Sequence, residues 1–227
     1  TTDRITALIV GERQITIRRL NLGYSPVDNL PGGMLMHQHY QELKKNSANY
    51  IPLSPLSFLA RTADIFGSRT AIIYGDRHYS WQQTYDRCRA LASALLSHGL
   101  QLGDTVSIIA ANTPEMYEAH FGVPMAGCVL NTINTRLEAE TIAHILADSD
   151  SKLLIADTAF RDSVSAALGM LEHDIEVIDI RDPALGNLQA LGKSEYEEFL
   201  VNGSSDFEWQ LPEDEWQALT LSYTSGT

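Results

Sequence analysis

Four short apolar runs recur along the middle of the chain: "TVSIIA" (105–110), "CVLNTI" (128–133), "KLLIAD" (152–157) and "IEVIDI" (175–180), their starts about 23 residues apart. The intervals between them carry helical patterns. Thr113-Pro114-Glu115 sets a capping hydroxyl, a proline at the first helical position and an acid in the first turn. Around Glu138–Asp148, Ile142, Ile145 and Leu146 share one helical face. Strand alternating with helix, without hairpin turns, predicts right-handed crossovers and a mainly parallel sheet. The near-continuous apolar strands predict burial on both sheet faces. The fold class expected is α/β, a mainly parallel sheet with flanking helices.

Upstream, Leu56, Leu59, Ala60 and Ala63 predict an amphipathic helix from about Pro55 to Phe66. "AIIYGDRHYSW" reads as a β-hairpin turning at Gly75-Asp76. The helix that follows aligns Trp81, Tyr85, Cys88, Leu91, Ala92 and Leu95 and ends at Gly99. Trp81, Tyr79 and Tyr85 are expected to be core aromatics, and Pro124 to mark a kink or helix end. "QALTLSY" near the end begins a new strand.

Charge divides the chain. Residues 1–45 hold six Lys/Arg against four acids, a net of about +2, so the remainder carries about −15 of the overall −13. Residues 1–47 are expected to be a leader: disordered, a targeting segment, or untranslated upstream sequence. Residues 48–227 form the ordered part. From Asp182 to Glu215 the chain turns acidic, with "EYEEFL" and "PEDEW", which predicts a solvated face. The net charge argues against nucleic acid as a partner. No apolar run reaches about 18 residues, so no transmembrane segment is expected. Cys88 and Cys128 lie far apart with no CxxC or nearby His pair, which predicts two buried, reduced thiols and no zinc site.

A sheet of this kind raises the question of a nucleotide. After "TVSIIA" the chain reads "ANTPEM", with none of the glycines a dinucleotide fingerprint needs, and no Gly-x-x-x-x-Gly-Lys-Ser/Thr loop follows any strand. The closing "LSYTSGT" differs. A strand there delivers Thr224, Ser225, Gly226 and Thr227, three hydroxyls around one glycine, with backbone N–H groups freed where the ladder ends. Such a turn makes a concave nest of donors suited to phosphate oxygens. His120 and His144 read as packed or surface histidines on helices. Asn112 and Arg136 stand where loops leave strands and are weak ligand candidates.

"YTSGT" resembles the start of the phosphate loop of adenylate-forming acyl-CoA synthetases. Two upstream segments are similar to the family in the same order: "YSWQQTYDRCRALASALLSHGLQLGDTVSIIAANTPEM" and "FGVPMAGCVLNTINTRL". The flavour is that of plant acyl-activating enzymes. The resemblance covers about residues 48–227 and implies the N-terminal part of the large domain of an adenylate-forming enzyme, cut within its phosphate loop. It implies an AMP-forming acid–CoA ligase: a carboxylate attacks the α-phosphate of ATP, and CoA thiol then displaces AMP. It further implies ATP, Mg2+ and CoA as cofactors, a small-molecule carboxylic acid as partner, and ATP contacts at Thr224, Ser225, Gly226 and Thr227. No catalytic residue and no metal ligand is assigned. A non-catalytic nucleotide-binding or interaction module of the same fold, and an adenylating enzyme with a non-CoA acceptor, stay open as alternatives. Peroxisomal location is the implied expectation, with cytoplasm and mitochondrion as alternatives. Expressed alone, the chain is expected to be inactive and to associate through its last strand.

Overall fold

In the computed structural model, the residues described are 46, 48–182, 186 and 189–224. The expectations for residues 1–45, Ser47 and Ser225–Thr227 lie outside them. The chain divides into two units, residues 1–51 with 224–227, and Pro52–Tyr223. In the first, Asn46 Oδ1 accepts from the Ala48 N–H at 2.9 Å, pinning a turn at residues 48–49.

The second unit opens with helix α1 (Leu56–Phe66), whose Leu56, Leu59 and Ala63 are buried. Strands β1 (Thr70–Tyr74) and β2 (Arg77–Ser80) then pair antiparallel around Gly75, whose φ of 57° suits a residue without Cβ. Helix α2 (Trp81–Ser97) starts with a capping box: Ser80 Oγ accepts from the Gln83 N–H at 3.2 Å, and Gln83 Oε1 accepts from the Ser80 N–H at 2.8 Å. Ser80→Ala is expected to cost about 1 kcal/mol of stability. A urea midpoint that does not move would remove the cap from the list of stabilising features.

A βα rhythm follows: β3 (Thr105–Ile109), α3 (Pro114–Met125), β4 (Val129–Thr132), α4 (Ala139–Asp148), β5 (Ser151–Asp157), a 3-10 turn, α5 (Arg161–Leu168) and β6 (Glu176–Ile180). Beyond it come β7 (Ser194–Glu195), α6 (Tyr196–Val201) and β8 (Thr220–Leu221). Thr113 caps α3 and Pro114 stands at its start, as the sequence implies. Pro124 is the penultimate residue of α3 and marks its end.

The main sheet is parallel, in the order β7-β6-β5-β3-β4-β8. Alternation along the strands sorts side chains into two cores. Leu153 and Ile155 join α1, α2, α3 and α6 on one face; Leu154 and Ala156 join α4 and α5 on the other. The step β3→β4 runs one way across the first face, whereas β4→β5 runs back across the second. Reversing both direction and face keeps a single crossover hand. Cys88 and Cys128 are free and buried.

Two expectations are corrected here. Tyr79, Trp81 and Tyr85 are half-buried rim residues, not core ones. Arg87 lies over the Tyr79 ring, and Tyr85 Oη accepts from Trp209 Nε1 at 2.8 Å, so their polar tips stay at the edge. The stretch 182–215 is not simply a solvated face. Tyr196, Phe199 and Leu200 of α6 are buried, at i, i+3, i+4 spacing, against α2 and β6. Of the acids around them, Glu195 caps, its Oε2 accepting from the N–H groups of Glu197 and Glu198, and Glu197 pairs with Arg87.

One polar node fixes α6. Arg87 on α2 donates from Nε and Nη2 to the buried Glu118 carboxylate of α3, and from Nη1 and Nη2 to Glu197 of α6. Tyr196 Oη donates to Glu118 Oε2 at 2.9 Å. Just past α6, Gly203 presses on α2: a Cβ there would meet Ala90 O at 2.0 Å.

Candidate functional site

Strand β8 sits at the edge of the sheet, paired in parallel with β4 through Leu130↔Thr220 and Asn131↔Leu221. The Leu130 N–H adds a bond to Leu219 O at 3.0 Å. Tyr223 Oη, two residues past the ladder, donates to Asp148 Oδ2 at 2.6 Å and anchors the strand's exit to the end of α4. Burial, then the hydrogen bond to Asp148, pushes the Tyr223 hydroxyl well above its ordinary range. Parallel pairing sends β8 toward the carboxyl end of the sheet, where ligands of open α/β sheets bind. Thr224, the first of the four residues expected at the site, is exposed. Ser225, Gly226 and Thr227 lie outside the described residues.

The alternative place for a nucleotide is the crevice between β3 and β5, whose connections leave to opposite faces. Asp157, at the end of β5, is buried and accepts from the N–H groups of Ala159, at 2.9 Å, and Ala111. Burial raises its carboxyl, partly offset by those two donors. Asp157 thus ties the end of β5 to the loop that leaves β3.

Nearby, Tyr74 Oη donates to Asp182 at 2.5 Å, and Arg77 Nη1 donates to Glu115 at 2.5 Å. The hydrogen bond to Asp182, together with burial, pushes the Tyr74 hydroxyl up to about 12. It stays protonated at neutral pH and acts as a donor. These pairs tie the β1–β2 hairpin to the sheet's carboxyl end. Among the described residues, no group of three or more His, Cys, Asp or Glu side chains is placed to hold a metal ion.

Between β1, α3 and the start of β8 lies a largely apolar cavity of about 780 Å³. Ile72, Met116, Phe121, Pro124 and Leu219 form its walls. Asn112 and His120, both exposed, stand on its lining, with His120 Nδ1 2.7 Å from Met116 O. Arg136 and His144 are exposed, on the loop after β4 and on α4, and neither lines the cavity. The structure thus brings Asn112 and His120 together and leaves Arg136 and His144 apart. Sequence reading missed the cavity, whose walls come from distant segments. It also missed Glu115 and Glu118, although their i, i+3 spacing on the Ala119 and Gly122 face of α3 was visible.

Residues 59–227 match the family described as AMP-binding enzyme. The chain belongs to that family. It is 46% identical over 198 residues to an acetate–CoA ligase of Humulus lupulus, covering 82% of this chain and 35% of that protein. It is 45% identical over 198 residues to a peroxisomal acetate/butyrate–CoA ligase of Arabidopsis thaliana, with the same coverages. A peroxisomal trans-cinnamate:CoA ligase of Petunia hybrida is 40% identical over 203 residues, covering 82% of this chain and 35% of that protein. The chain therefore spans about a third of the length of these relatives. Among solved structures, an anthranilate CoA ligase in complex with anthranoyl-AMP superposes with a TM-score of 0.68 at 21% identity, over 81% of this chain and 34% of that one. A long-chain-fatty-acid-CoA ligase from Archaeoglobus fulgidus gives 0.66 at 20% identity, over 78% and 35%. These two establish the likeness of fold. No described helix is long and apolar enough to cross a membrane.

Proposed function

We propose that the polypeptide containing this chain is an AMP-forming acid–CoA ligase, and that Thr224, Ser225, Gly226 and Thr227 hold the phosphates of ATP. The observation that carries the reading is the identity of 40–46% to acid–CoA ligases of acetate, butyrate and cinnamate. The edge position of β8 supports the site, because its parallel pairing with β4 runs the chain toward the carboxyl end of the sheet just before Thr224 in sequence. Residues 1–47 are a leader, and residues 48–227 are the N-terminal part of the AMP-binding domain. The acid, ATP and CoA are the substrates, with Mg2+ as the metal. Peroxisomal location follows the names of two of the relatives.

The donor set fits phosphate: threonine and serine hydroxyls donate to its oxygens, and a glycine lets backbone N–H groups approach closely. In the adenylation step the carboxylate oxygen bonds to the α-phosphorus as the P–O bond to pyrophosphate breaks. Orientation and charge neutralisation account for the acceleration such a loop provides.

Carboxylate-dependent exchange of pyrophosphate into ATP tests the reading in the full-length polypeptide. Thr224→Val and Thr227→Val are each expected to slow exchange about 10- to 150-fold, matching about 1.5–3 kcal/mol for a lost hydrogen bond to a charged group. Normal exchange in both variants would take these residues out of the site. No exchange with acetate, butyrate or cinnamate in the unmodified protein would overturn the ligase reading.

A further inference from the structure

We propose that the Arg87 node is a proton-operated latch on α6: protonation of Glu118 favours the docked helix, and its loss on raising pH loosens the segment leading to β8. The geometry carries this. One guanidinium serves two carboxylates, so the node holds one negative charge in excess. Of the two acids, Glu118 has no exposed surface, whereas the side chain of Glu197 is 49% exposed. Water can solvate Glu197 but not Glu118, so a proton taken up by the node goes to Glu118, with the Tyr196 hydroxyl turning from donor to acceptor at Oε2.

Every packed element contributes a group facing it. Arg87 and the buried Cys88 thiol come from α2, Tyr196 and Glu197 from α6, and Glu115 from one turn earlier on α3. Tyr79 of β2 underlies Arg87, and Arg77 of the same strand pairs with Glu115 and acts on Glu197, so counting this second pair leaves the node's excess of one negative charge unchanged. Cys88 and Tyr196 are both held well above their ordinary ranges by burial, so neither adds charge near neutrality. Arg87 stays charged: its bonds to Glu197 and Glu118 outweigh the burial that opposes them. Burial pushes the Glu118 carboxyl up to about 7, against the pull of Arg87 and Tyr196.

The sign follows from linkage. Undocking α6 opens Glu118 to water and returns its carboxyl toward 4.5, the ordinary value. Between those two values the docked form holds more protons, so lowering pH favours docking and raising it through 7 removes the preference. With these two values the opening equilibrium rises about tenfold from pH 6 to pH 8.

Hydrogen exchange at the α6 amides, corrected for intrinsic rates, reads that equilibrium in the full-length polypeptide. We expect the tenfold increase in the unmodified protein and a flat profile in Glu118→Gln. A flat profile in the unmodified protein, or an unchanged increase in Glu118→Gln, would overturn the latch. Should Glu118→Gln not fold, carbon-13 titration of the Glu118 carboxyl in the unmodified protein decides instead. A midpoint near 7 supports the latch, and one below about 5, near the ordinary carboxylate range, overturns it.

Discussion

Replacing Arg87 by Met is expected to lower stability by about 3–5 kcal/mol at pH 8, because it leaves Glu118 buried without its cation. The methionine keeps most of the aliphatic stem over Tyr79, so packing loss is small and the electrostatic loss dominates. The damage has a ceiling set by proton uptake. Glu118 can neutralise itself, and each pH unit lowered makes that about 1.4 kcal/mol easier. Urea unfolding at pH 8 and pH 6 should therefore show a distinctly smaller deficit at the lower pH. A loss under about 1 kcal/mol at pH 8, the range of an exposed pair, would mean that the node behaves like a surface ion pair.

The second large effect is expected at Gly203. Its backbone needs no positive φ, so the demand for glycine comes from proximity alone. A Cβ would meet Ala90 O at 2.0 Å, Ala94 N at 2.8 Å and Ala90 C at 2.9 Å, all main-chain atoms of α2. No side-chain rotation relieves such a clash; the segment must lift off the helix. Gly203→Ala should cost about 3 kcal/mol or slightly more, the upper end for overpacking. It should also detach Trp209 from Tyr85, seen as a red shift of tryptophan emission. Gly169→Ala is the control, since its nearest neighbour lies at 3.5 Å, and it should change stability by less than about 1 kcal/mol. Equal effects at the two sites would refute the account from proximity.

Elements whose signals are local were legible in the sequence. The apolar runs of β3 to β6, the Thr113-Pro114 start of α3 and the hairpin at Gly75 all depend on neighbours within a few residues. The order of the strands is not local: placing β5 beside β3 instead of β4 depends on crossovers longer than any periodicity window. Residues 194–202 were misread because acidic side chains dominate the count, while Tyr196, Phe199 and Leu200 carry the buried face. At the site, Thr224 follows from the strand before it, but the cavity beside Leu219 joins residues from β1, α3 and the start of β8. Nothing in any one segment announces it.

The pairing of β8 bears on the order in which the chain assembles. Strands β3 to β6 meet partners close by in sequence and close small loops. Strand β8 meets β4 across about 90 residues, through a ladder of only two residue pairs. Long loops closed by few contacts form late, after the local contacts that make their docking surface. During synthesis β3 to β6 emerge well before β8, which then adds to an edge already built. Contacts absent from the folding transition state act on the unfolding rate. Weakening β8, for instance by Leu221→Ala, should hasten unfolding of the sheet edge while leaving the refolding rate unchanged, so that β8 is the last strand to arrive and the first to leave.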